Sequence, residues 1–156
     1  MRRYSPSAEC WRFECADSNE EVNATMMTER KKKRILLVED EVALANLVKW
    51  QLESAGYEAE VETTGKAALA SATDQCPDLV ILDLRLPDIN GYEVCRELRK
   101  LHHSWGLPVL MLTAMDKPID QVRGYAYGAD AYLTKPFDPN ELLKTVALLL
   151  GEISLV

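Results

Sequence analysis

The sequence has no apolar run approaching the roughly 20 residues that a membrane span needs, and its N-terminus carries no continuous apolar segment of the secretion-signal kind. No membrane contact is expected, and the expected location is the cytoplasm. Histidine is nearly absent. His102 and His103 stand side by side, with no ligand partner in view, and are expected on the solvated end of a helix. The four cysteines, Cys10, Cys15, Cys76 and Cys95, fall into no metal-ligand spacing and are expected as reduced, ordinary thiols. Basic charge is scarce where the core lies: residues 35 to 156 carry ten Lys/Arg against nineteen Asp/Glu. An acidic domain of that kind is a poor binder of nucleic-acid phosphates.

What remains is a chain of 156 residues, 47% hydrophobic and 28% charged, enough for one domain with a proper core and a tail. Residues 1 to about 30 show neither helical nor alternating periodicity and lead into the run Arg30-Lys31-Lys32-Lys33-Arg34, which sets the bounds of this segment at 1 to 32. They are expected to be a disordered leader, with Met26 or Met27 as an alternative translation start. Residues 33 to 156 form the expected domain.

From Ile35 onward, short apolar strands alternate with amphipathic helices five times. The strands read as 35 to 38, 57 to 62, 79 to 83, 108 to 113 and 131 to 134. Three of them are continuous apolar runs suited to burial on both faces. The second alternates Tyr57, Ala59 and Val61 with Glu58, Glu60 and Glu62 and belongs at an edge. The first helix carries Leu44, Leu47, Val48, Leu52 and Ala55 at helical spacing and stops at Gly56. Trp50 is expected to pack on a helix face. Another helix opens at Asn90, and the last opens as Asp138-Pro139-Asn140-Glu141. This (βα)5 pattern predicts an α/β sandwich, a parallel sheet with helices on both faces, and a site beyond the carboxyl ends of the strands.

At those ends stand Glu39-Asp40-Glu41, Asp83, Thr113 and Thr134-Lys135-Pro136. Converging carboxylates repel one another unless a cation sits among them. All-oxygen ligation suits Mg2+ better than zinc or a closed calcium cage. With Lys135 as a fixed positive charge and Thr113 as a hydroxyl donor, the set forms a cradle for a phosphoryl group carried on a carboxylate.

These motifs, "LLVEDE", "LVILDLRLPDINGYEV", "VLMLTA" and "GADAYLTKPF", resemble the receiver domain of two-component response regulators. The resemblance runs from about Lys33 to near Gly151. It implies the doubly wound, flavodoxin-like order 2-1-3-4-5 and assigns Asp83 as phospho-acceptor. Glu39, Asp40, Asp83 and the Arg85 carbonyl become the Mg2+ ligands, Thr113 and Lys135 the phosphoryl grips, Tyr132 the aromatic switch, and Lys135-Pro136 a cis peptide. The implied donor is a sensor histidine kinase or phosphotransfer protein. The chain is then no enzyme beyond its own phosphorylation and dephosphorylation.

The implied output surface comprises the fourth helix, fifth strand and last helix, with Ile119, Val122, Tyr125, Tyr127 and Tyr132, and serves a downstream partner or a self-dimer. Gln121, Ala131 and Thr145 stand where relatives with DNA-binding domains carry pairing charges, leaving Arg123, Asp130 and Glu141. Arg85 and Met115, the positions that tune water attack in the family, hold no carboxylate or amide, so slow self-dephosphorylation is expected. The alternatives are a pseudo-receiver interaction module or the receiver part of a truncated DNA-binding regulator. A phosphate-ester hydrolase is disfavoured because Arg85 stands where a second acid is needed. A flavin-binding relative is disfavoured because no Ser/Thr/Gly phosphate loop follows the first strand. The apolar Leu148-Leu149-Leu150 and Ile153 to Val156 suggest that something covers them.

Overall fold

The computed structural model describes residues 31–101 and 106–153. The expected leader to residue 30, with Cys10, Cys15 and Trp11, lies outside the described residues, as do His102, His103, Trp105 and the last three residues. Five strands and five helices alternate: β1 (Arg34–Val38), α1 (Val42–Ser54), β2 (Glu58–Glu62), α2 (Gly65–Gln75), β3 (Leu79–Leu82), α3 (Gly91–Leu101), β4 (Val109–Thr113), α4 (Pro118–Ala126), β5 (Ala131–Thr134) and α5 (Pro139–Leu149). The strands form one parallel sheet in the order β2-β1-β3-β4-β5. The expected architecture and strand order are therefore present.

Side-chain alternation along the strands divides the core in two. Leu36, Val38, Val80, Leu82, Val109 and Met111 face α2 and α3. Ile35, Leu37, Leu79, Ile81, Leu110 and Leu112 face α1 and α5. β3, β1 after Arg34 and β4 before Thr113 are continuous apolar runs because both their faces are covered. β2, with Ala59 inward and Glu58 and Glu60 exposed, is an edge strand as its alternation requires.

The helix ends follow local chemistry. Asn90 accepts from the Tyr92 amide at 2.8 Å and opens α3, and Asp138 accepts from Asn140 at 2.8 Å before Pro139. Gly56, at φ +97, turns the chain out of α1 where a Cβ is disfavoured.

Three expectations on α1 fail for one geometric reason. Ala45, Val48 and Leu52 form its buried stripe; Leu47 and Trp50 lie past that stripe, 50% and 65% exposed, and Ala55 is exposed too. The cysteine expectation is also corrected: Cys95 is a buried free thiol, but Cys76 is disulfide-bonded. Leu149 and Leu150 pack against the α1/α5 side of the core, so the covering there is partly the protein's own.

Candidate phospho-acceptor site

Backbone hydrogen bonds bring the strand ends to one level. The Asp83 amide donates to Val38 O at 3.0 Å, Glu39 to Glu62 O at 3.0 Å, and Lys135 to Thr113 O at 2.8 Å. Asp83 thus follows a fully buried strand directly and emerges beside the end of β1, where the strand order reverses. Lys135-Pro136 is cis, as the resemblance implies.

The carboxylates meet there. Glu39, Asp40 and Asp83 each offer an oxygen, and these atoms all lie within 4.8 Å of one another. Glu39 and Asp83 are buried, while Asp40 is open to solvent. One buried and one exposed end is what a cation site needs if water is to complete the coordination sphere, so this donor set fits a divalent, oxygen-preferring ion. The Lys135 ammonium reaches Glu39 Oε2 at 2.5 Å and Asp83 Oδ2 at 3.0 Å.

Burial, together with the charge of Asp83, raises the Glu39 pKa against the opposing pull of Lys135. For Lys135, burial alone would favour loss of its proton, but the bonds to Glu39 and Asp83 outweigh it and hold the ammonium charged. The second oxygens are occupied by backbone: the Glu41 amide donates to Glu39 Oε1 and the Arg85 amide to Asp83 Oδ1, both at 3.2 Å.

Thr113 is fully buried at the end of β4, and its Oγ1 accepts from the Met115 amide at 3.4 Å. Tyr132, one strand over, donates to the Met115 carbonyl at 2.6 Å. The threonine and the aromatic thus hold the same short loop from opposite sides.

A family model described as response regulator receiver domain matches residues 35–147. The chain belongs to the response regulator receiver family. The receiver is 44% identical over 117 residues, 75% of this chain, to the DNA-binding dual master transcriptional regulator RpaA of Synechocystis, covering 48% of that protein. It is 42% identical over 118 residues, 76% of this chain, to the alkaline phosphatase synthesis transcriptional regulatory protein PhoP of Bacillus subtilis, again covering 48%. The chain therefore spans about half the length of these curated relatives. Among solved structures, the CheY-like receiver domain protein of Methanospirillum hungatei JF-1 superposes with a TM-score of 0.73 at 34% identity, covering 78% of this chain and 96% of that one.

All seven residues singled out from sequence, Glu39, Asp40, Asp83, Arg85, Thr113, Tyr132 and Lys135, stand at or beside this crevice. The sequence reading missed two residues that shape it. Asp88 accepts from the amides of Gly65 and Lys66 at 2.8 and 2.9 Å, pinning the loop after Asp83 onto the start of α2. Tyr92, in the first turn of α3 just after that loop, is buried. The Asp-Ile-Asn-Gly stretch before Tyr92 was the available signal: turn-forming residues that close shortly after β3 and Asp83.

The expected output face is only partly what the sequence suggested. Ile119, Val122 and Tyr125 are exposed along α4, but Tyr127 packs on Tyr92 with ring centroids 5.2 Å apart. Asp130 is bound to Arg99 at 2.6 Å and to the Val109 amide at 2.9 Å, so it is committed within the domain. Among the described residues no helix is long and apolar enough to cross a membrane.

Proposed function

We propose that this receiver accepts a phosphoryl group on Asp83 from a phosphohistidine of a sensor kinase or phosphotransfer protein in the cytoplasm. The observation that carries the reading is the convergence of Glu39, Asp40, Asp83 and Lys135 at the strand ends, with buried Thr113 closing β4 beside them. Carboxylates packed this closely are costly to fold without a use for their charge.

In the step itself, a carboxylate oxygen of Asp83 forms the new P–O bond as the P–N bond breaks, and that bond's electron pair leaves with the imidazole nitrogen. Lys135 is held charged and already contacts Asp83, so it meets the incoming phosphoryl oxygens without reorganisation. Glu39, Asp40 and Asp83, with the Arg85 carbonyl, would hold Mg2+, whose charge offsets that of the phosphoryl oxygens. A groove lined by Leu44, Leu47, Pro136 and Phe137 opens beside Lys135 and offers the donor protein an apolar footing at the rim.

Signalling then follows from Thr113. Drawing its hydroxyl toward a phosphoryl oxygen pulls on the Met115 loop that Tyr132 also holds, and shifts the population of α4, β5 and α5 arrangements. The exposed Ile119, Val122 and Tyr125 are the surface a downstream protein or a second copy would read. Arg85 and Met115 offer no carboxylate or amide to orient water, so loss of the phosphoryl group is slow. A half-life matching the fast chemotaxis-type receivers refutes that point.

The deciding experiment is intact-mass measurement after acetyl phosphate, with and without Mg2+, on the full chain and on Asp83→Asn. One added phosphoryl group, dependent on both Mg2+ and Asp83, is the expected result. None in the full chain means that the fold serves as an interaction module without phosphorylation.

A further inference from the structure

α4 is weakly held by burial. Among its residues only Asp120 and Gly124 are buried, so its apolar residues do little to fix it against the sheet. Polar and aromatic contacts from Tyr92 take their place. The Tyr92 hydroxyl donates to the backbone carbonyl of Asp120, in the first turn of α4, at 3.0 Å in a buried setting. Its ring lies against Tyr127, the residue that ends the same helix. One side chain from α3 thus touches both ends of α4.

The root of that side chain is fixed to the acceptor loop. The Gly91 amide donates to Leu84 O at 3.0 Å, and a Cβ at Gly91 would collide with the carbonyl oxygen of Asp83. Tyr92 therefore follows a residue packed directly on the acceptor's own backbone, and Asn90 Oδ1 fixes its amide at 2.8 Å.

We propose that Tyr92 is a positioning residue, a latch that holds α4 in the arrangement described, and that phosphoryl capture at Asp83 works against it. This rests on the reading of Asp83 as acceptor. The first turn of α4 follows the loop that Thr113 and Tyr132 both grip. A pull of Thr113 toward a phosphoryl group draws that turn, and the Asp120 carbonyl with it, away from the Tyr92 hydroxyl. An interaction present in one of two states biases the equilibrium by its differential strength, so removing it favours the other state.

The test uses the full chain with Tyr92→Phe, which keeps the ring on Tyr127 and removes only the hydroxyl. Tyr57→Phe is the matched control, because Tyr57 donates to Glu152 Oε2 at 2.6 Å on the opposite side of the sheet. The first readout is amide hydrogen exchange without Mg2+ or any phosphoryl mimic. The second is the beryllofluoride midpoint in Mg2+, followed at the Thr113 amide.

In Tyr92→Phe, exchange in α4 quickens while that in α3 holds, and the midpoint falls about three- to tenfold, the worth of one buried hydrogen bond. Tyr57→Phe leaves the midpoint in place. A wild type that responds to beryllofluoride with an unmoved Tyr92→Phe midpoint overturns the latch alone, as does an equal shift in Tyr57→Phe. A wild type that ignores beryllofluoride overturns the acceptor reading and the coupling with it.

Discussion

α3 and α4 lie on consecutive crossovers and have similar lengths, yet they are held in opposite ways. α3 buries Gly91, Tyr92, Val94, Cys95 and Leu98, a continuous stripe under the sheet. α4 buries a carboxylate residue and a glycine and shows Ile119, Val122 and Tyr125 to solvent. A helix held by apolar area moves only at the cost of that area, whereas one held by a few hydroxyl contacts exchanges them for others at little cost. The fold thus places a well-buried helix after the strand that leads to Asp83 and a sparsely buried one after the strand that ends on Thr113. Under the proposed acceptor role of Asp83, a phosphoryl group there is expected to move the second helix without loosening the first.

The most damaging way to break this contrast is to make α3 loose. Leu98 is 1% exposed, and Leu98→Ala is expected to cost about 4 kcal/mol through lost transfer energy and a cavity. Val122, 62% exposed on α4, is expected to change stability by about 0.5 kcal/mol or less as Val122→Ala. Urea midpoints of the two variants measure the difference directly; similar losses would mean that α4 is as firmly packed as α3.

The crevice gives the next largest effect. Lys135→Met leaves buried Glu39 and Asp83 facing each other with no ammonium between them. The expected loss is about 3 kcal/mol, and millimolar Mg2+ is expected to restore more stability to this variant than to the wild type. Thermal unfolding with and without Mg2+ checks it, and a loss that Mg2+ leaves untouched would remove the cation from this account.

Gly124 sharpens the comparison at the α4 contact itself. A Cβ there would come within 2.9 Å of Met111 Sδ and of the Tyr132 ring, so Gly124→Ala pushes α4 off β5. Overpacking costs about 1 to 3 kcal/mol, offset by about 1 from the better helix former. A small net change in stability is therefore expected alongside a clear rise in α4 amide exchange. Unchanged exchange would show that Met111 and Tyr132 yield instead.

Much of this contrast was legible in the residues and some was not. The strands, their layering and the acidic crevice follow from continuous apolar runs that end on carboxylates, a local pattern that tertiary packing had no reason to override. The α1 face misled because Leu47 and Trp50 share helical spacing with Val48 and Leu52, and hydrophobicity alone does not say where a stripe stops. Tyr125 and Tyr127 looked equivalent in sequence. Their separation depends on Tyr92 arriving from α3, a contact between residues 35 positions apart that no periodicity reports. Asp130 was counted among the charges remaining on the output face for the same reason: its partner Arg99 comes from α3.

The smallest expected effect concerns how the two helices begin. The turn before α3 is pinned by Asp88, whose carboxylate accepts from two amides at the start of α2 and is thereby held at a pKa of about 2. Lys117, which precedes α4, makes no side-chain capping bond. A carboxylate depressed in the folded state adds stability that is fully present above its unfolded pKa, near 4, and is lost as the pH falls through the folded value. Asp88 is fully exposed, so its contribution is screened and modest. Asp88→Asn is therefore expected to have a lower urea midpoint than wild type at pH 6, with the gap narrowing from about pH 4 downward. Midpoints taken in steps from pH 6 to pH 3 decide it. A gap that stays constant across that range would assign the Asp88 bonds to shape alone, since an uncharged amide would then serve the α2 start as poorly in acid as at neutrality.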